Sequence, residues 1–256
     1  MDLSGRKVLI TGGGAGMGRV MADTFSRAGA GVHIADVDPA ALADARTSIA
    51  GLSGTLADIT DEKAVERLVA ETVASLGGLD TVINNAGIPG PTAPIEDVDP
   101  AAWRRTLEVD ITGMFLVTRA AVPHLKAARG GSVVNMGSTA SRLGFSHRIP
   151  YATAKHAVVG FTRTLSIELG PWDINVNDIQ PGPVDSPLQA RVLAERAERL
   201  GITPEEALAQ RLEPVSMKRQ VSQQEIADVA LFLCSAAGHM ISGRSIPVDG
   251  DQTALV

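Results

Sequence analysis

Lys7-Val-Leu-Ile-Thr-Gly-Gly-Gly-Ala-Gly-Met-Gly-Arg19 runs a short apolar strand straight into a glycine loop that opens a helix. Within it, Gly12, Gly16 and Gly18 have the spacing Gly-x3-Gly-x-Gly, with Met17 between the last two. Glycines let the chain turn tightly and bring its backbone close to a pyrophosphate, whose charge is met by the free N–H groups at the start of the helix. Such a loop in isolation is also compatible with a plain turn. Asp36 sharpens the reading, because it ends the next apolar run 20 residues beyond Gly16, where a carboxylate accepts hydrogen bonds from both ribose hydroxyls and repels a 2'-phosphate. The expected cofactor is therefore NAD rather than NADP, with Arg19 the one nearby cation that keeps NADP open.

Further along, Asp58-Ile59 closes a third apolar run, and the Asp58 side chain is placed to meet an adenine amino group or simply to enter a helix. Asn84-Asn85-Ala86-Gly87 closes a fourth, where small residues and amides let a cofactor lie against a sheet.

Strand-like runs recur at residues 7–10, 31–35, 54–57, 81–83, 132–136, 175–179 and 245–248, separated by amphipathic stretches. The spacing predicts helices at 16–28, 39–49, 61–76, 100–128, 151–169, 189–212 (broken near Gly201) and 222–235. Asp38-Pro39 and Asp99-Pro100 place a capping acid before a first-turn proline, and Thr203 to Glu206 and Ser222 to Glu225 fit the capping-box spacing. Alternation of this kind predicts a single α/β domain, a mostly parallel seven-stranded sheet with helices on both faces. No repeat, low-complexity tract or linker divides the 256 residues. The proline-rich stretch 88–94 reads as a loop at the ligand-binding edge.

The bulk properties narrow the class of function. A formal net charge of -6 argues against nucleic acid as a partner, since neutralising phosphates needs a concentrated basic face. No run approaches the roughly 18 uncharged apolar residues of a membrane span, and a strand starting by Lys7 leaves no room for a signal peptide, so a cytoplasmic location is expected. The lone cysteine, Cys234, stands in an apolar run and reads as a buried small hydrophobe.

The chemistry concentrates in Ser138, Tyr151 and Lys155. Residues four apart on a helix share a face, so Lys155 stands beside Tyr151. A free phenol titrates at about 10, and an adjacent ammonium favours the ionised form, which suits a proton donor or acceptor. A Tyr-x3-Lys pair is commonplace on helix surfaces. Here, however, it holds the chain's single tyrosine, 13 positions after Ser138 at the end of a strand. With a dinucleotide on the glycine loop, the natural reading is hydride transfer between nicotinamide and an alcohol or carbonyl.

Taken in order, Thr11-Gly-x3-Gly-x-Gly18, Asp58, Asn84-Asn-Ala-Gly87, Ser138, Tyr151-x3-Lys155, Asn177 with Pro181-Gly182, and Ser242-Gly243 before Val248-Asp-Gly250 resemble the short-chain dehydrogenase/reductase family from about Lys7 to Gly250. The resemblance implies a doubly wound, Rossmann-like α/β sheet and NAD(P)-dependent interconversion of secondary alcohols and ketones, in an assembly that is usually a homotetramer. It implies Tyr151 as general acid or base, Lys155 on the nicotinamide ribose, Ser138 on the substrate oxygen, and Gly12, Gly16, Met17, Gly18, Asp36, Asp58, Ile59, Asn85, Ala86, Gly87, Pro181, Gly182 and Val184 around the cofactor. One position departs from the family pattern: Asp110 stands where the family usually has an asparagine that bends its helix and helps link the lysine to solvent. Either the Asp110 backbone carbonyl preserves that relay, or the proton path is altered. An aspartate there loses two donors if ionised, while burial favours its neutral form.

Two other classes remain open at this level. A non-catalytic NAD(H) sensor or scaffold is motivated by Asp110 and opposed by the complete Ser138, Tyr151, Lys155 set. Sugar-nucleotide epimerases or dehydratases generally carry a larger C-terminal substrate domain, for which the tail after Gly250 leaves no space.

The substrate is not legible. The stretch 183–217 reads as a helical cover over it, its charges fitting a solvated outer face. Arg142, His147 and Arg148 either meet an anionic or polyhydroxylated substrate or decorate a surface loop, while Leu143 and Phe145 fit an apolar pocket wall equally well.

Overall fold

Val8 and Ile10 face one side of a sheet and Leu9 the other, all three fully buried, because successive strand side chains alternate and this strand is covered twice. The computed structural model, which describes residues 1–255, builds all seven expected strands: β1 (Lys7–Thr11), β2 (Gly31–Asp36), β3 (Ser53–Leu56), β4 (Thr81–Asn84), β5 (Gly131–Met136), β6 (Ile174–Pro181) and β7 (Ser245–Val248). Their order is β3-β2-β1-β4-β5-β6-β7, and every pairing is parallel. From β1 the chain winds to one edge through β2 and β3, then returns to β4 and fills the other. Strand order thus reverses between β1 and β4, and a crevice opens there beyond the strands' carboxyl ends.

The helices are α1 (Gly16–Arg27), α2 (Pro39–Ser48), α3 (Glu62–Leu76), α4 (Pro100–Leu107), α5 (Met114–Ala128), α6 (Ile149–Leu169), α7 (Pro187–Leu200), α8 (Pro204–Leu212) and α9 (Gln223–Cys234). Met21 and Phe25 of α1, Leu42 of α2 and Ile226 of α9 pack on the Val8/Ile10 face, while Leu68 of α3 and Val117 of α5 pack on the Leu9 face. The expected caps form. Asp38 accepts the Ala40 N–H at 2.8 Å, Asp99 accepts from Ala101 at 3.1 Å, and both Thr203/Glu206 and Ser222/Glu225 close capping boxes. Gly201, at φ +66°, separates α7 from α8.

One element differs from expectation. The helix predicted over 100–128 is interrupted by a π turn at Glu108–Gly113. Such a turn widens the helix by a residue and re-aims the side chains around it; here it lies with Asp110 at its centre. Local propensity carries no mark of it, because Val109, Ile111 and Thr112 read as ordinary helix-surface residues.

No helix among the described residues is long and apolar enough to cross a membrane. Cys234 is buried on α9, as its neighbours suggested.

Candidate active site

The glycine loop lies at the crevice. Gly16 adopts φ +54° as α1 begins, and a Cβ on Gly18 would stand 2.0 Å from the Gly12 carbonyl oxygen, so both positions require glycine. Asn85 fastens the loop to the end of β4 by donating its side-chain N–H to the carbonyls of Thr11 at 2.9 Å and Gly12 at 3.1 Å, while its own Oδ1 is buried without a partner. Asp36 is held at the loop's side, its Oδ2 accepting the Gly14 N–H at 2.9 Å and its Oδ1 that of Asp38 at 3.0 Å. A carboxylate oxygen has two lone pairs, so each retains capacity for a ribose hydroxyl. Arg19 is turned to Asp44 and Ser48 on α2. The residues present fit a dinucleotide, and the carboxylate at Asp36 fits one without a 2'-phosphate.

Asp58 accepts from the Thr60 backbone at 2.9 Å and pairs with Arg105 at 3.3 Å. Partial burial raises its carboxyl, but these bonds outweigh that and hold it below the ordinary value. The Ile59 side chain points into the core, where it fills the space left by Gly113.

At the inner end of the crevice lies a cleft with an empty volume of about 950 Å³, open mouth included. It brings together Met17, Asn85, Gly87, Pro181, Gly182 and Val184 with all four catalytic candidates: Ser138, Tyr151, Lys155 and Asp110. Ser138 ends the run after β5 and caps a short 3-10 turn, Thr139–Ser141; its Oγ accepts the Ala140 N–H at 3.1 Å and keeps its hydroxyl proton for a ligand. Tyr151 and Lys155 lie on α6 as the spacing predicted. Lys155 is buried, donates to the Met136 carbonyl at 3.0 Å, and holds its Nζ 5.5 Å from the centre of the Tyr151 ring.

Asp110 faces the same lysine. Its Oδ1 accepts the Ile88 N–H at 2.7 Å, and its Oδ2, otherwise unpartnered, lies 3.6 Å from Lys155 Nζ. Burial pushes the Asp110 carboxyl up; the charge of Lys155 opposes this without cancelling it. The Asp110 side chain therefore adjoins the lysine. Gly87 makes room for the pair, since a Cβ there would stand 3.3 Å from Asp110 Oδ1 and 3.5 Å from Lys155 Nζ.

The three basic candidates between Ser138 and Tyr151 separate. Arg142 pairs with Asp249 and donates to the Gln252 carbonyl at 3.0 Å, and His147 is exposed. Arg148 is buried in the cleft wall. Opposite it stands Arg211 of α8, also buried, which corrects the expectation that the charges of 183–217 face solvent. Arg211 follows Ala207 by four residues on the inner face of α8, and the apolar residue one turn earlier is the signal that marks that face.

The family model described as Enoyl-(Acyl carrier protein) reductase matches residues 12–251. A trans-4-hydroxycyclohexanecarboxylate dehydrogenase of Sinomonas cyclohexanicum is 37% identical, over 96% of this chain and 92% of that protein. Among solved structures, levodione reductase superposes with a TM-score of 0.93 at 31% identity, covering 97% of this chain and 98% of the other. NAD+-bound xylitol dehydrogenase gives 0.93 at 28% identity, covering 98% and 100%. The chain belongs to the short-chain dehydrogenase/reductase family. It is accordingly an NAD(P)-dependent oxidoreductase acting between secondary alcohols and ketones, and the relatives support NAD as its cofactor.

Proposed function

We propose that this enzyme oxidises a secondary alcohol with NAD, or reduces the matching ketone, using Tyr151 as the general acid/base. The observation that carries this reading is the convergence of Ser138, Tyr151 and Lys155 on one cleft, with the Lys155 ammonium held beside the phenol ring by the Met136 carbonyl. Nicotinamide, when bound, supplies the two-electron acceptor or donor for hydride transfer. In oxidation the carbinol C–H bond breaks with its electron pair leaving as hydride, the hydroxyl proton passes to the Tyr151 oxygen, and the C–O bond becomes a carbonyl; reduction reverses each movement. Ser138 donates its hydroxyl to the substrate oxygen, where negative charge develops. Lys155 and Asp110 form the inner end of the proton path. The helical segment 183–217 covers the substrate, a role consistent with Val184, Gln189 and Arg211 lining the cleft.

Asp36 sets the preference for NAD over NADP. The assembly is a homotetramer, as in the resemblance; α5 and α6 support this, since Phe115, Phe161 and Leu165 line a shared outer groove and Gly160 has open space above it. The enzyme works in the cytoplasm.

Tyr151→Phe tests the central claim. Turnover is expected to fall by at least about 100-fold, the lower range for losing a general acid/base, with NADH binding by fluorescence titration preserved. Retained turnover removes Tyr151 from the role. In the wild type, tight NADH binding with no turnover of any alcohol or ketone assigns the chain to the sensor class instead.

A further inference from the structure

Two arginines, Arg148 and Arg211, line the same cleft, and neither is paired with a carboxylate among the described residues. Arg148 caps α6 three residues before Tyr151 and gives one Nη2 proton to the Pro89 carbonyl at 2.7 Å. Arg211 approaches from α8. Both guanidinium groups lie near the Phe145 ring, Arg148 at 5.3 Å and Arg211 at 5.4 Å from its centre, and Arg148 also stands 5.3 Å from the Tyr151 ring. Both residues are buried, at 6% and 9% exposure, and the Nε of each is buried with no hydrogen-bond partner. Neither arginine takes part in an ion pair among the described residues. The nearby carboxylates, Glu195 and Asp97, are exposed at the outer rim, beside Arg196 and Arg199.

This arrangement is costly as it stands. A guanidinium remains charged in a protein, and taking one out of water without a counter-ion costs more than contact with aromatic faces returns. The two charges also repel, and burial together with Arg148 pushes Arg211 down to about 10. Both line the same cleft as Ser138, Tyr151 and Lys155, so whatever relieves them is close to the reacting carbon.

We infer that the substrate is an anion: the secondary alcohol or ketone carries an oxyacid group, carboxylate or phosphate, that Arg148 and Arg211 bind together. The site is then one for the alcohol or ketone of a carboxylate or a phosphate ester, resting on the assignment of Tyr151 above. Forked guanidinium donors match the oxygens of such a group. A neutral analogue would leave both charges buried and unpaired, which is how a polar pocket discriminates strongly.

The test compares 4-hydroxycyclohexanecarboxylate with its primary amide, and sorbitol 6-phosphate with sorbitol, by kcat/KM with NAD in wild type, Arg211→Gln, Arg211→Lys and Arg148→Gln. Wild type is expected to prefer the charged member of at least one pair by about tenfold or more, the lower end for a hydrogen bond to a charged group. Arg211→Gln should bring that ratio towards one, chiefly through KM, and Arg211→Lys should keep part of it. Preference in the carboxylate pair assigns the anion to a carboxylate, and preference in the phosphate pair assigns it to a phosphate ester. A second arm does not need turnover: calorimetric titration of Tyr151→Phe, loaded with NAD, with cyclohexanecarboxylate, cyclohexanecarboxamide and inorganic phosphate. Tighter binding of either anion than of the amide supports the subsite even if the role of Tyr151 fails. No charged preference in either arm overturns it, as does a preference unchanged in correctly folded Arg211→Gln and Arg148→Gln.

Discussion

Lys155 Nζ lies 3.6 Å from Asp110 Oδ2 and 3.0 Å from the Met136 carbonyl, so the buried ammonium next to Tyr151 is shared between a carboxylate and a main-chain oxygen. Because Asp110 is wholly buried and its carboxyl is raised by desolvation, the carboxylate is held there at a cost that Lys155 only partly offsets.

Asp110→Asn is expected to leave kcat within about tenfold of wild type, less than the loss of a general acid/base, since the amide is nearly isosteric and keeps an oxygen for the Ile88 N–H. A gain well beyond tenfold in steady-state assays would mean that Asp110 obstructs the proton path. The stability effect has a definite sign. A carboxyl raised on folding contributes stability that is present below its unfolded value and lost as pH rises through the folded one. The amide mimics the protonated acid, so Asp110→Asn should raise Tm at pH 7 and lose that advantage on acidification. An equal or larger Tm gain at low pH would contradict this.

Asp36→Ser removes the carboxylate pinned beside Gly14. The KM for NAD should rise by roughly 10- to 100-fold, matching the loss of hydrogen bonds to a charged group, while NADP turnover improves because the repulsion is gone. Paired assays with the two dinucleotides check this, and an unchanged NAD to NADP ratio would place discrimination elsewhere.

Gly18→Ala forces a Cβ to 2.0 Å from the Gly12 carbonyl oxygen. Overpacking of this sort costs about 1–3 kcal/mol, and it falls on the loop proposed to receive the pyrophosphate. Weaker NADH binding should accompany the lower Tm; stability loss with full cofactor affinity would separate the loop from the cofactor.

His33 gives an acid-sensitive contribution to stability. Buried between Ser53 at 2.8 Å and Thr55 at 2.9 Å, its ring is held by desolvation at about 4 against an ordinary 6.5. The neutral ring is favoured on folding, so this stability is present above pH 6.5 and lost as pH falls towards 4, amounting to roughly 3 kcal/mol. Urea unfolding of His33→Gln should show a flatter decline than wild type across that window. Parallel declines would remove His33 as the source.

Burial pushes the Cys234 thiol up to about 12. Since the thiolate is the reactive form, a chromogenic disulfide reagent should label Cys234 only after unfolding, and rapid labelling of the native enzyme would contradict the packing of α9.

The boundary between what was legible and what was not follows the range of the interactions. Short-range regularities suffice for the strands, for the caps at Asp38, Asp99, Thr203 and Ser222, and for the glycine loop, because each depends on residues within a turn or a strand of one another. The pairing of Tyr151 with Lys155 is of the same kind, fixed by helical pitch. The sequence thus determined the fold class, the family and the grouping of Ser138, Tyr151 and Lys155. The π turn at Glu108–Gly113 depends on tertiary packing around Asp110 and Gly113, which local propensity does not record. Tertiary structure alone decided that Asp110 turns its side chain to Lys155, that Arg142 leaves the cleft for Asp249, and that Arg211 joins Arg148 and Phe145 in the cleft wall. Those contacts join residues far apart in the chain, and whether a charged side chain faces water or a ligand depends on which distant helix covers it, a quantity that no local pattern encodes.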